Sequence, residues 1–208
     1  MRTHQINNRE SVTPNLALTF LKEGNQRFVK NLKLNRNLLE QVNETKDGQF
    51  PFAVILSCID SRTSAELIFD QGLGDIFSIR IAGNVINEDI IGSMEFSCKL
   101  AGSKLVVVMG HSRCGAITGA CKKVELGYLT NLLDKITPSI THTKSMYNDL
   151  DISSSAGVDL VARRHIEYTI KEVLNKSKVL REMYDNNEIN IIGAFYNVES
   201  GIVDFIEK

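Results

Sequence analysis

The sequence predicts an α/β domain: a mainly parallel central β-sheet flanked by helices, with a C-terminal antiparallel edge strand and an N-terminal helical arm. Three observations carry this prediction. Short apolar runs, "PFAVIL", "IFSIRIAG" and "KLVVVMGH", alternate with segments of helical period, the pattern of parallel strands joined by crossover helices. The first and third runs lack polar alternation, as strands buried on both faces do. Near the C-terminus, "INIIGAFYNV" and "IVDFI" are separated by "ESG", the signal for an antiparallel return.

Residues 1–208 read as one domain, with the arm over residues 1–34 and the α/β core over residues 50–208. In "TPNLALTFLKEGNQRFVKNL", Thr13 is placed to cap a helix that begins at Pro14. Leu16, Phe20 and Leu21 recur there at helical spacing, and Gly24 is a weak point. Polar residues from Asn35 to Gln49 read as a connector, and "PFAVIL" as the first strand. Thr63 and Glu66 have the spacing of a capping box, which satisfies amide donors at the start of a short helix just past Arg62. "GLGD" ends that helix and "IFSIRIAG" follows as the second strand. "NEDIIGSMEFSCKLAG" sets Ile90, Ile91, Met94, Ser97 and Cys98 at helical spacing, with Gly102 as its stop.

"KLVVVMGH" is the third strand. "CGAITGACKKVELG" reads as one helix closed by Gly127, with Gly115 and Gly119 letting its backbone approach a neighbour. Pro138 interrupts the segment from Asn131 to Ser155, and "DISSSAG" reads as a loop. "VDLVARRHIEYTIKEVLNK" is amphipathic, and Ser177 is placed to cap a further short helix before the last two strands.

Composition narrows the function. Lys and Arg total 24 against 25 Asp and Glu, so no net field draws the chain to nucleic acid or to an anionic membrane. The polar start "MRTHQINNRESVTPN" lacks an apolar signal core, and no apolar run approaches bilayer length, which predicts a cytoplasmic protein. Cys58, Cys98, Cys114 and Cys121 have no disulfide-framework spacing, so metal binding, catalysis or burial is expected of them.

Two strands deliver chemistry at their carboxyl ends, where open α/β sheets bind ligands. "PFAVILSCIDSR" ends in Cys58, Asp60 and Arg62, and "VVVMGHSRCGA" ends in His111 and Cys114. Thiolate, imidazole and carboxylate form the donor set that Zn²⁺ accepts, in sites that are commonly four-coordinate. Cys58, His111 and Cys114 supply three ligands, brought together only by folding. The helix expected to begin at Cys114 favours a thiolate there through its dipole and free amides. Alternation along an extended segment puts Cys58, Asp60 and Arg62 on one side. Asp60 then has two candidate partners, the metal and the forked guanidinium of Arg62. On the metal it closes the site; held by Arg62 it leaves room for water.

"CIDSR", "GDIFSIRIAGNV" and "MGHSRCGAI" together resemble the β-class carbonic anhydrases. The similarity extends from "ALTFLKEGNQRF" to "GAFYNVESGIVDF", with residues from about Leu129 to Asn190 less diagnostic. It implies Zn²⁺ on Cys58, His111 and Cys114, with Asp60 and Arg62 as a mobile catalytic pair, and hydration of CO₂ to bicarbonate by hydroxide generated at the metal. It also implies a homodimer or homotetramer with active sites near subunit contacts. Gln49, Phe77 and Gly115 match substrate-pocket positions of the plant-like subgroup. Phe96 departs from that subgroup, which has tyrosine there, and the chain has no Trp, unlike the bicarbonate-regulated subgroup.

Other residues have plainer readings. Cys98 and Cys121 read as packed thiols, and His4, His142 and His165 as surface or helix-face histidines without local partners. Arg80 and Asn84 lie in the family-like "SIRIAGN" and have two readings: support of the cavity or a subunit contact, or, for an arginine near a strand end, no more than a structural pair. Two alternative functions compete: a zinc protein closed by Asp60 with a regulatory or structural role, and a hydrolase of another small substrate such as carbon disulfide. Phosphatase-type C-x₅-R chemistry fails on spacing, because Ser64 stands sixth after Cys58. Dinucleotide binding fails because "GLGD" lacks the following glycine.

Overall fold

The computed structural model describes residues 11–147 and 149–206; His4 lies outside them. The five strands β1 (Ala53–Ser57), β2 (Ile76–Arg80), β3 (Leu105–His111), β4 (Asn190–Tyr196) and β5 (Val203–Ile206) form one sheet in the order β2-β1-β3-β4-β5. All pairings are parallel except β4 with β5, which is antiparallel as the "ESG" turn predicts. Every residue of β1 and β3 is buried. Their alternating side chains feed two cores, which is why the runs are apolar without interruption. Val54, Leu56, Val106 and Val108 face one core, and Ala53, Ile55, Leu105 and Val107 face the other.

Helix α1 (Pro14–Val29) covers the second core. Thr13 Oγ1 accepts the Leu16 amide at 3.2 Å, as a helix cap does. Gly24 is a requirement of packing rather than a weak point: a Cβ there would stand 1.7 Å from the Phe69 carbonyl oxygen. The neighbouring Asn25 donates to the backbone oxygens of Ile68 and Gly201 and accepts from the Val203 amide, tying α1 to both ends of the core.

The expected connector over Asn35–Gln49 contains a helix, α2 (Leu38–Thr45). Its cap is Asn37, and its one buried residue is Gln41, whose Oε1 accepts the Leu73 amide at 3.2 Å. A helix anchored through a polar side chain leaves no apolar period to read. The capping box is also corrected. Helix α3 (Ala65–Ile68) starts at Ser64 without a side-chain cap, Thr63 Oγ1 donates to the Cys58 and Asp60 carbonyls, and Glu66 accepts from Ser78 Oγ at 2.6 Å.

On the opposite face, α4 (Glu88–Glu95) continues into a π-helical turn (Phe96–Leu100), and Gly102 at φ +81° ends it. Past β3, the single helix expected up to Gly127 is two: α5 (Gly115–Cys121) stops early and Gly127 opens α6 (Gly127–Asp134). Pro138 sits in the first turn of α7 (Thr137–Met146), where its missing N–H costs nothing. The long α8 (Ser155–Lys176) packs on β3 and β4, and Ser177 Oγ caps α9 (Lys178–Asp185) by accepting the Leu180 amide at 3.0 Å. No described helix is long and apolar enough to cross a membrane.

Candidate metal centre

Parallel pairing of β1 with β3, Leu56 beside Val108, brings the carboxyl ends of both strands to one place. Cys58 lies one residue past β1, His111 ends β3, and Cys114 caps the N-terminus of α5. One ligand atom from each, two sulfurs and an imidazole nitrogen, lie within 4.8 Å of one another, and all three residues are buried. The link between His111 and Cys114 is a fixed turn. The Ser112 amide donates to the Tyr196 carbonyl at 2.9 Å, and Arg113, at φ +54°, donates its amide to Asp159 Oδ1 at 2.9 Å.

The donor atoms are prepared for a cation. His111 Nδ1 is 2.9 Å from the Ser112 carbonyl, an acceptor, so the ring proton belongs on Nδ1. Nε2, buried and without a hydrogen-bond partner, presents its lone pair. The two sulfurs are 4.0 Å apart, with Cys114 donating to Cys58. That hydrogen bond lowers the Cys58 pKa against the opposing effect of burial, helped by His111 and the Gly83 amide. Cys114 moves the other way: its interaction with Cys58 and its burial raise its pKa, although the Ile117 and Ala116 amides of α5 pull it down. The helix terminus thus acts as the sequence predicts, but it is outweighed, and Cys58 is the more acidic thiol of the pair. A divalent cation held by these residues would supply the charge that two buried thiolates require.

Arg62 holds the Asp60 carboxylate from three directions. Its Nε donates to Oδ1 at 2.9 Å, its terminal nitrogen to Oδ2 at 2.8 Å, and its backbone amide to Oδ1 at 3.0 Å. These bonds, with the side-chain pair first, hold the Asp60 pKa well below the usual carboxylate range. Asp60 Oδ2 also lies 4.0 Å from His111 Nε2, at the border of the cluster. The pair meets through a tight turn rather than through the strand alternation the sequence suggests: β1 ends at Ser57, and the Thr63 amide donates to the Asp60 carbonyl at 2.9 Å.

Three supports have weak sequence signals. Thr63 staples this turn with its hydroxyl. Arg80, at the end of β2, donates to the Cys58 carbonyl at 3.1 Å and the Asp60 carbonyl at 2.6 Å, so it holds the ligand loop. Gly83, at φ +67° in the 3-10 turn Ala82–Asn84, donates its amide to Cys58 Sγ at 3.3 Å. The only hint of this was the glycine in "RIAGN".

The remaining candidates stand further out. Gly115 opens α5 beside Cys114 and is exposed, with no atom within 4 Å of an added Cβ. Phe77, half-buried on β2, packs edge-on against Phe96 with ring centroids 6.1 Å apart. Gln49 is exposed in the segment before β1. Cys98 is buried in the core, where desolvation pushes its thiol up to about 12, and Cys121 is half-buried at the end of α5. His142 is exposed as expected, but His165 is buried and has a partner, Ser139.

A family model described as carbonic anhydrase matches residues 53–203. Carbonic anhydrase 2 of Mycobacterium tuberculosis is 32% identical over 197 residues, covering 92% of each chain. The solved β-carbonic anhydrase CafA of Aspergillus fumigatus superposes with a TM-score of 0.73 at 25% identity, covering 93% of this chain and 90% of that one. A structure from a study of two tetrameric β-carbonic anhydrases of Sordaria macrospora shares the fold, with a TM-score of 0.71 at 22% identity over 81% of this chain and 90% of that one.

Proposed function

Because this chain belongs to the β-carbonic anhydrase family, we propose that it catalyses the reversible hydration of carbon dioxide to bicarbonate at a zinc ion held by Cys58, His111 and Cys114. The observation that carries the reading is the pairing of Asp60 with Arg62 beside a buried Cys-His-Cys cluster. Two sulfurs and a bare imidazole nitrogen favour zinc over the harder divalent ions. Zinc held by Cys58, His111 and Cys114 would supply a water made nucleophilic near neutral pH.

The side chains divide the remaining work. Arg62 engages both oxygens of Asp60 and so keeps the carboxylate from closing the site that Cys58, His111 and Cys114 would form around the ion, which leaves access to solvent and substrate. Asp60, ionised well below neutrality by its arginine, accepts a hydrogen bond from the attacking water at Oδ2 and turns that water's lone pair toward the CO₂ carbon. Phe77 and Gln49 form the substrate side, one as apolar wall and one as amide donor, and Gly115 leaves room next to Cys114. Phe77 and Gln49 complete the pocket across a subunit contact in a homodimer or homotetramer. We place the enzyme in the cytoplasm, with no nucleic acid or membrane partner.

The engaged Arg62 fork argues against a permanently closed regulatory site. Stopped-flow CO₂ hydration with a pH indicator, run alongside metal analysis, tests the proposal, and CS₂ turnover in parallel separates the related hydrolase. A zinc-dependent rate with CO₂ from neutral to alkaline pH is expected. No such rate in zinc-replete protein removes the assignment.

A further inference from the structure

Two glycines set how closely α8 approaches the metal centre. A Cβ on Gly110, the residue before His111, would stand 2.9 Å from Ile166 Cδ1, and one on Gly193 of β4 would stand 2.7 Å from Ile166 Cγ2. Ile166 of α8, fully buried, therefore sits directly on the backbone of both strands. One turn before it, the Arg163 guanidinium lies 3.8 Å from the centre of the Phe195 ring. The start of the helix is fixed as well. Ser154 Oγ accepts the Gly157 amide at 3.1 Å, and a Cβ on Gly157 would stand 2.1 Å from the Asp151 carbonyl oxygen. Held at both places, α8 carries the half-buried Asp159 to the turn that joins His111 to Cys114.

One peptide unit of that turn is held at both ends. Its N–H, that of Arg113, donates to Asp159 Oδ1 at 2.9 Å across 46 residues of chain. Its carbonyl, that of Ser112, accepts from His111 Nδ1 at 2.9 Å. Hydrogen bonds in series polarise one another, and one made to a carboxylate is among the stronger kinds. The hold opposes a strain, because Arg113 has a Cβ and a left-handed φ of +54°. The Arg113 side chain adds little: it meets Glu199 where both are 60% exposed. The donor atoms of His111 and Cys114 lie within 4.8 Å of each other across this bend, so its conformation decides whether one ion meets both. A histidine whose other ring N–H is given to a fixed acceptor keeps one tautomer and one ring direction.

We propose that Asp159 is a positioning residue for the metal centre: by holding the peptide between Ser112 and Arg113 it keeps the Ser112 carbonyl on His111 Nδ1 and the bend that sets His111 and Cys114 toward one ion. The inference rests on the zinc reading given above and adds to it a support from α8, two hydrogen bonds away from the imidazole.

The test uses the full-length protein, with Asp159→Ala, Asp159→Leu, Asp159→Asn and Glu199→Gln compared to wild type. Zinc affinity is measured by chelator competition, and visible absorption is recorded after loading with cobalt(II). In the metal-free protein the NMR shifts of the His111 ring nitrogens report its tautomer. Asp159→Ala and Asp159→Leu, one truncated and one of similar size, both lack the acceptor. Each is expected to weaken zinc by about tenfold, the lower end of what groups behind metal ligands contribute, to move the cobalt bands, and to shift the ring nitrogens toward a mixed tautomer. Asp159→Asn, whose Oδ1 can still accept the amide, is expected to restore all three. Glu199→Gln is expected to match wild type, because the hold is on the backbone of Arg113. Melting temperatures are taken on all variants, since a purely structural role lowers them without moving the bands or the shifts. Unchanged affinity, bands and shifts in Asp159→Ala and Asp159→Leu overturn the proposal, as does a change that Asn fails to restore. Wild-type protein that takes up neither zinc nor cobalt removes the zinc reading and this inference together; metal uptake with indifferent variants removes this inference alone.

Discussion

Arg62 grips both carboxylate oxygens of Asp60 while Asp60 Oδ2 stays 4.0 Å from His111 Nε2. The carboxylate is thus one short movement from the Cys-His-Cys cluster, and one residue holds it away, through an exposed guanidinium and a backbone amide. Surface ion pairs are ordinarily weak, and Arg62 is half exposed, so the pair matters for geometry more than for stability.

Arg62→Ala is expected to keep its metal and lose turnover by about two orders of magnitude, the scale of a misplaced reacting group, because Asp60 is free to occupy the fourth position. Metal analysis with stopped-flow hydration checks both halves. Near-normal rates in this variant would mean that Asp60 is not restrained by Arg62.

Cys58→Ser and His111→Ala each remove one of three donor residues whose atoms lie within 4.8 Å of one another. Both are expected to purify with much less than one zinc per chain and to show no zinc-dependent hydration. Retention of stoichiometric zinc by either, measured by atomic emission after dialysis against a chelator, would place the metal elsewhere.

Stability should rise with pH in a window set by His165. Its native pKa is pushed down to about 4, whereas an unfolded histidine titrates near 6.5. Between those values the unfolded chain binds the extra proton, so stability falls as pH drops through the window and this contribution levels off below about 4. One such group accounts for up to about 3 kcal/mol across the window. Denaturant titrations at several pH values should show a shallower slope for His165→Gln; equal slopes would mean that this ring is not buried neutral.

Gly24→Ala drives a methyl group toward the Phe69 carbonyl, 1.7 Å from where the Cβ would stand. Backbone cannot rotate away as a side chain does, so α1 must lift from the core. A loss of roughly 1–3 kcal/mol is expected from overpacking, even though alanine favours helices. Urea midpoints measure it, and an unchanged midpoint would show that α1 is loosely docked.

Much of this was legible in the sequence for physical reasons. β1 and β3 are buried on both faces, so their runs are apolar throughout; Thr13, Pro14 and Ser177 mark helix starts because amide donors must be satisfied there. Cys58, His111 and Cys114 stood out because soft donors at strand ends contrast with the apolar residues before them. Where polar residues do buried work, the pattern fails. Gln41 anchors α2 with an amide, Thr63 serves two carbonyls instead of a helix end, and His165, which reads as a surface or helix-face histidine without a local partner, fills a core position. The partner of each lies far away in the chain or is a backbone atom, and neither leaves a local signature.

The cluster joins a residue just past β1 to His111 at the end of β3 and Cys114 at the start of α5, across α3, β2 and α4. During synthesis, then, no cage exists until the ribosome has released Cys114 and the two strands have zipped together. An ion captured at that moment would rivet the middle of the sheet, and the supply of metal in the cell would then bear on the yield of finished protein as well as on its turnover.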